Sequence, residues 1–124
     1  MNVVDTSGWL EYFTDGKNAS FFAQAIQDVT HLVVPVICLY EVFKVTLSRL
    51  GEEEALRAVG LMSLGKVVDL DREMALEAAR LSIQHKLAMA DSFILSAAQV
   101  CQATLWTQDE HFRSIPGVKY IAKK

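Results

Sequence analysis

The chain has 124 residues, 52% hydrophobic and 22% charged, with two prolines and six glycines. That profile suits one domain, expected over residues 1–124, and excludes a disordered tail, a collagen-like repeat or a low-complexity linker. Twelve basic against fifteen acidic residues leave a net charge of −3, which excludes a polybasic nucleic-acid coat but leaves room for a local basic groove.

In chain order, Asn2-Val3-Val4-Asp5 reads as a short strand running into the helix-capping sequence Asp-Thr-Ser. Gly8 to Thr14 is an aromatic-rich turn or helix, and Phe22, Ala25, Ile26 and Val29 set a helix over Ala19 to Val29. His31 to Val34 is the next strand, stopped by Pro35. An apolar helix is expected from Ile37 to Leu50, with Gly51 as its cap. Glu52-Glu53-Glu54 opens another, ended by Gly65.

Lys66 to Leu70 reads as a third strand. Asp71 caps a periodic helix with Met74, Leu76, Ala78, Leu81 and Ile83 toward its buried side. Asp91 to Gln102 is an alanine-rich helix. Thr104 to Thr107 is a strand, Asp109 to Ser114 a helical turn, and Val118 to Ile121 the last strand. Strands alternating with helices predict an α/β fold: a mainly parallel sheet of about four to five strands flanked by helices. In such sheets ligands bind at the carboxyl ends of the strands.

Cys38 and Cys101 both lie in apolar runs and read as free buried thiols; they form no disulfide framework and no zinc spacing. No stretch reads as a signal peptide or a membrane span, so the expected location is cytoplasmic, with no membrane partner.

Most of the acids sit in charged surroundings, as solvated surface or helix caps. Three do not. Asp5 is the only charged residue between Met1 and Leu10, Glu41 the only one from Leu32 to Phe43, and Asp91 the only one from Leu87 to Gln108. A carboxylate in an apolar setting must be protonated, paired or metal-bound, and these stretches supply no cation. A fourth acid, Asp109, follows Trp106-Thr107-Gln108 where a strand ends. Capping alone would explain Asp5, Asp91 and Asp109, each at the start of a helix. Glu41 lies within a helix whose neighbours are apolar nearly all round, which predicts a buried helix.

Val4-Asp5-Thr6-Ser7, Leu39-Tyr40-Glu41-Val42, Met89-Ala90-Asp91-Ser92-Phe93-Ile94 and Thr107-Gln108-Asp109-Glu110-His111-Phe112 occur in that order. Together they resemble the PIN-domain ribonucleases, in particular the VapC-like toxins of prokaryotic toxin–antitoxin modules. The resemblance covers essentially the whole chain. It implies that Asp5, Glu41, Asp91 and Asp109 form a catalytic metal site, supported by the hydroxyls of Thr6 and Thr107, with Ser7 a further candidate. It also implies an RNA substrate, cleavage to a 5′-phosphate and a 3′-hydroxyl, and a homodimer or a cognate antitoxin as partner.

Carboxylates and hydroxyls without thiolates suit a hard cation, Mg²⁺ or Mn²⁺, and the chemistry of such ions fits phosphodiester hydrolysis. Lys44, Arg49, Lys86, Arg113, Lys123 and Lys124 are candidate RNA contacts, whereas His31, His85 and His111 read as structural or surface residues. Trp9, Tyr12, Phe13, Phe21 and Phe22 read mainly as core, with any exposed part a protein contact.

Two rival readings use the same fold. A phospho-accepting receiver domain would make Asp69 the acceptor with Thr107 nearby, but it needs adjacent acids after the first strand, where only Asp5 stands. A non-catalytic interaction module would use its acids as caps alone.

Overall fold

Two adjacent valines set the centre of the molecule. In the computed structural model, which describes Met1–Lys124, Val3 and Val4 are wholly buried in β1 (Asn2–Val4). On one side β1 pairs with β2 (Leu32–Pro35) and on the other with β4 (Thr104–Thr107), with Val3 opposite Val33 and Leu105. Outside these lie β3 (Lys66–Val68) beside β2 and β5 (Val118–Tyr120) beside β4. The order is β3-β2-β1-β4-β5 and every pairing is parallel. The chain therefore steps outward from β1 to β3 and then crosses back, placing the switch point of the sheet between β1 and β4.

Six helices flank the sheet. The helix α1 (Thr6–Phe13) packs on α2 (Ala19–Ile26), α3 (Val36–Leu50) on α4 (Glu52–Met62), and α5 (Arg72–His85) on α6 (Met89–Val100). Short 3₁₀ turns occupy Val29–His31 and Glu110–Phe112. The core joins Val3, Val33 and Leu105 to Trp9, Phe22, Ile94 and Phe112. At Gly8 a Cβ would sit 2.6 Å from both Val4 Cγ1 and Phe22 Cε1, so glycine alone lets α1 lie this close to the sheet. Gly51, at φ 90°, makes the sharp joint between α3 and α4.

Several boundaries differ from expectation. Pro35 does not stop β2 but is its last residue and the N-cap of α3, where its missing N–H costs nothing. The helix expected to reach Val29 ends at Ile26, and a 3₁₀ turn takes up His31. The third strand ends at Val68, short of Leu70, and the helix before it ends at Met62, short of Gly65.

The burial corrections are larger. Only Cys38 and Val42 of α3 are buried, while Tyr40, Leu47 and Leu50 are exposed. On α5, Met74, Ala78 and Leu81 are buried as expected, but Leu76 is exposed and Ile83 is 84% exposed. In each case a narrow stripe is fully buried and several of the other apolar side chains stay exposed. Apolar composition therefore overstates burial here. Cys38 is buried, whereas Cys101 is only partly covered; both are free.

Candidate functional site

Asp5 sits where β1 ends, its N–H donating to Trp106 O at 3.1 Å as the last tie to β4. It is also the N-cap of α1, and Gly8 N–H donates to its Oδ1 at 2.8 Å. Ser7 Oγ lies 2.9 Å from Oδ1 and 3.0 Å from Oδ2, and Thr107 Oγ1 donates to Oδ2 at 2.6 Å. The carboxylate is only 2% exposed. Burial raises its pKa to about 6 against the opposing pull of these donors, and repulsion from Asp91 adds to the rise.

Thr107 fixes a second acid as well. Its hydroxyl accepts from Asp109 N–H at 2.9 Å, so one side chain spans the two acids at the switch point. Asp109 in turn caps the 3₁₀ turn, accepting from His111 N–H at 2.9 Å, with His111 Nδ1 also at 2.9 Å. Glu41 comes from the second turn of α3 and accepts from Thr6 Oγ1 at 2.5 Å, which ties α3 to the first residue of α1.

Asp91 is different. The N-cap of α6 is Ala88, so Asp91 is not the expected cap but stands in the first turn, where a carboxylate favours the positive end of the helix dipole. Its carboxylate is half-buried and accepts no hydrogen bond within the chain. Burial comes first, then repulsion from Asp109 and from Glu41, and together they push its pKa up to about 6; His111 acts the other way. Asp91 thus feels Asp5, Glu41 and Asp109 at once. The fold brings all four sequence-predicted acids into one electrostatic cluster at the carboxyl edge of the sheet.

No three acidic, histidine or cysteine side chains close into a ready-made ligand set. The donors are nonetheless all carboxylate and hydroxyl oxygens. An ion such as Mg²⁺, which is held by one or two carboxylates and keeps several waters, matches that open arrangement better than an all-protein cage would. Asp69, by contrast, follows the edge strand β3, with β2 between it and β1.

A cavity of about 610 Å³ opens between α1, α3 and α4, lined by Leu10, Phe13, Arg49 and Leu50 among others, and reaches the neighbours of the acids at Ser7 and Gln108. Sequence reading missed the polar lock at its rim. Asn18, 1% exposed, donates through Nδ2 to Gln108 Oε1 at 2.9 Å and to Ala122 O at 3.1 Å. Its own Oδ1 is buried with no partner, which costs about 1–3 kcal/mol. Gln108 stands between Thr107 and Asp109, a position that was the one available signal.

The remaining candidates are dispersed. Arg49 reaches the cavity, Lys44 lies over Tyr40 and Arg113 over Tyr120, while Lys86 closes α5 in the left-handed conformation and Lys123 and Lys124 are exposed. His31 pairs with Asp28 on the surface, and His111 with Asp109 at the site. Trp9 and Phe22 are core residues, with Tyr12, Phe13 and Phe21 packed partly against them. No helix is long and apolar enough to cross a membrane.

The PIN domain family model matches residues 3–118. Among solved structures, a toxin–antitoxin complex from Klebsiella pneumoniae superposes with a TM-score of 0.81 at 22% identity, covering 96% of each chain. VapC20 of Mycobacterium tuberculosis, described as a toxin that cleaves the sarcin-ricin loop, gives 0.76 at 14% identity over 94% of this chain and 95% of that one. The DNA-bound VapBC complex of Salmonella typhimurium gives 0.74 at 18% identity over 98% of both. No curated protein matches in sequence.

Proposed function

From the premise that the chain belongs to the PIN domain family, we propose that it is a metal-dependent endoribonuclease and the toxin of a toxin–antitoxin pair. The observation that carries this reading is the convergence of four acids from four segments at the sheet's switch point, with Asp91 in the field of the other three. Capping does not account for the cluster, because Glu41 lies within α3 and Asp91 is not the cap of α6.

In this reading Asp5, Glu41, Asp91 and Asp109 are the metal ligands and catalytic residues. When bound, Mg²⁺ or Mn²⁺ supplies the charge that neutralises them, activates water and steadies the leaving oxygen. The chain's own residues prepare the site. Thr107 and Ser7 hold the Asp5 carboxylate in one orientation, and Thr6 does the same for Glu41. Asp91, bound to nothing, is free to turn toward a cation or an incoming phosphate.

The four acids repel a bare phosphodiester, so RNA must be drawn in by cations at the rim, and Arg49 and Arg57 line the neighbouring cavity. The exposed apolar side chains Leu56 and Leu64, on α4 and just beyond it, suit a protein partner, which we assign to the antitoxin; a second copy of the chain suits Leu76 and Ile83 on α5. Several solved structures of similar fold are toxin–antitoxin complexes, which supports an antitoxin partner. Two unpaired thiols suit the cytoplasm.

The test is cleavage of a mixed RNA pool by the purified chain with Mg²⁺ or Mn²⁺, with chelator, and by Asp91→Asn. Cutting that needs metal and vanishes in the variant supports the reading. Cutting that persists in chelator or in the variant contradicts it.

A further inference from the structure

One backbone carbonyl dictates the direction of two side-chain amides. Ala122 O can only accept, so Asn18 must turn its Nδ2 toward it. The same Nδ2 reaches Gln108, which must therefore present Oε1 inward. Turning Asn18 over would set two oxygens against each other, and the orphaned Asn18 Oδ1 shows that the chain tolerates an unpaired buried atom to keep this arrangement.

Gln108 is left with one free group. Its Nε2 makes no bond within the chain and opens onto the cavity, whose wall also includes Ser7, the residue bonded to both oxygens of Asp5. The cavity thus reaches the residues next to the acids, Ser7 and Gln108, while the four acids themselves stand outside its wall. Leu10 and Phe13 give it an apolar side, and Arg49 and Arg57 place cations on its wall, with Glu11 and Glu54 as the carboxylates beside them. Its volume of about 610 Å³ lies within the usual range for small-molecule sites. A flat apolar-faced group beside a negatively charged one, entering next to the acids, fits these walls: a nucleotide base with its phosphate.

Building on the ribonuclease reading, we propose that this cavity receives a base flanking the scissile phosphate, and that Gln108 Nε2 selects a keto base, guanine or uracil, at that position. When a base seats its exocyclic group against Gln108, guanine O6 and uracil O4 accept there, whereas adenine N6 and cytosine N4 donate; the ring acceptors of adenine and cytosine are met only in another seating. A glutamine free to turn over would serve either kind. Held by Asn18, Gln108 offers only donors and discriminates. Gln108 is a specificity-determining residue, and Asn18 positions it.

The experiment uses the full chain, Mn²⁺ and a pool of short single-stranded RNAs of randomised sequence, with the cut ends sequenced. Wild type should favour guanine or uracil about tenfold at one position beside the cut, the scale of one hydrogen bond. Gln108→Leu should still cut but lose that preference. Gln108→Glu keeps an oxygen for Asn18, turns an acceptor toward the cavity, and should move the preference toward adenine and cytosine. Thermal melting of both variants checks that they fold, and loss of preference in the folded glutamate variant suffices if the leucine variant is unstable. An unchanged preference in a folded variant overturns the subsite, as does a change confined to binding of a protein partner. A wild type that cuts no RNA in the pool overturns the ribonuclease reading instead, and the subsite with it.

Discussion

Asp5 and Asp91 both have their pKa raised to about 6, yet by opposite constructions. Asp5 is sunk at the joint of β1 and α1, and three residues, Ser7, Gly8 and Thr107, donate to it. Loss of water around its carboxylate outweighs what those bonds return. Asp91 stands half-exposed at the start of α6 with no donor, and other carboxylates add to its burial. One acid is part of the framework and the other is set loose in front of it. The two should therefore respond differently to substitution: framework changes cost stability together with activity, while changes at Asp91 separate the two.

The largest expected effect comes from Asp91→Asn. It should lower cleavage at least about a hundredfold, the scale of removing one preorganised electrostatic contact. In the metal-free chain the same change removes repulsion with Asp109 and Glu41, so the melting temperature should rise, by about 1–3 °C once solvent screening is allowed for. A fall in melting temperature would erase the contrast with Asp5.

Next is Thr107→Val. It removes a donor from Asp5 and an acceptor from Asp109 N–H, so stability should drop by about 1–3 kcal/mol in a denaturant titration. The lost donor also lets the Asp5 pKa climb further, which should move the acid limb of the activity profile toward higher pH. Thr6→Val removes the donor to Glu41 at a partly buried contact, beside Cys38, so its cost should be smaller, about 0.5–1.5 kcal/mol.

The pH dependence of the metal-free chain sharpens the same comparison. Both acids take up protons more readily folded than unfolded, since each is raised from 3.8 to about 6. Between about pH 4 and 6 the folded chain holds protons that the unfolded chain has released. Their contribution to stability is therefore greatest below pH 4, falls as pH rises across that window, and stays low above it. Burial makes Asp5 the larger part, about 3 kcal/mol at most. Melting in chelator across this range should show the decline, and Asp91→Asn should remove only the smaller share.

How much of the fold and the site is legible in the sequence follows from the distance over which each signal acts. The alternation of short apolar runs and helices, and acids isolated in uncharged stretches, are local patterns, and they lead to the parallel sheet and to Asp5, Glu41 and Asp91; Asp109 is marked only by its place at the end of a strand and by the resemblance. The face of α3 is not legible, because Tyr40, Leu47 and Leu50 are as apolar as core residues but face outward. The same holds for Leu76 and Ile83 on α5. The start of α6 is easily misplaced because Leu87-Ala88-Met89-Ala90 contains no capping side chain, leaving Asp91 as the obvious but wrong boundary. The lock between Asn18, Gln108 and Ala122 joins residues some ninety and more positions apart, and nothing local announces it.

The central claim is that the four acids hold a divalent cation, and melting with and without Mn²⁺ at pH 7.5 and pH 5 tests it most directly. A ligand that binds only the folded chain raises its melting temperature by mass action. Wild type should gain clearly at pH 7.5, less at pH 5 where protons compete for Asp5 and Asp91, and Asp91→Asn should gain little at either. No gain in the wild type, or an equal gain in Asp91→Asn, would contradict the account.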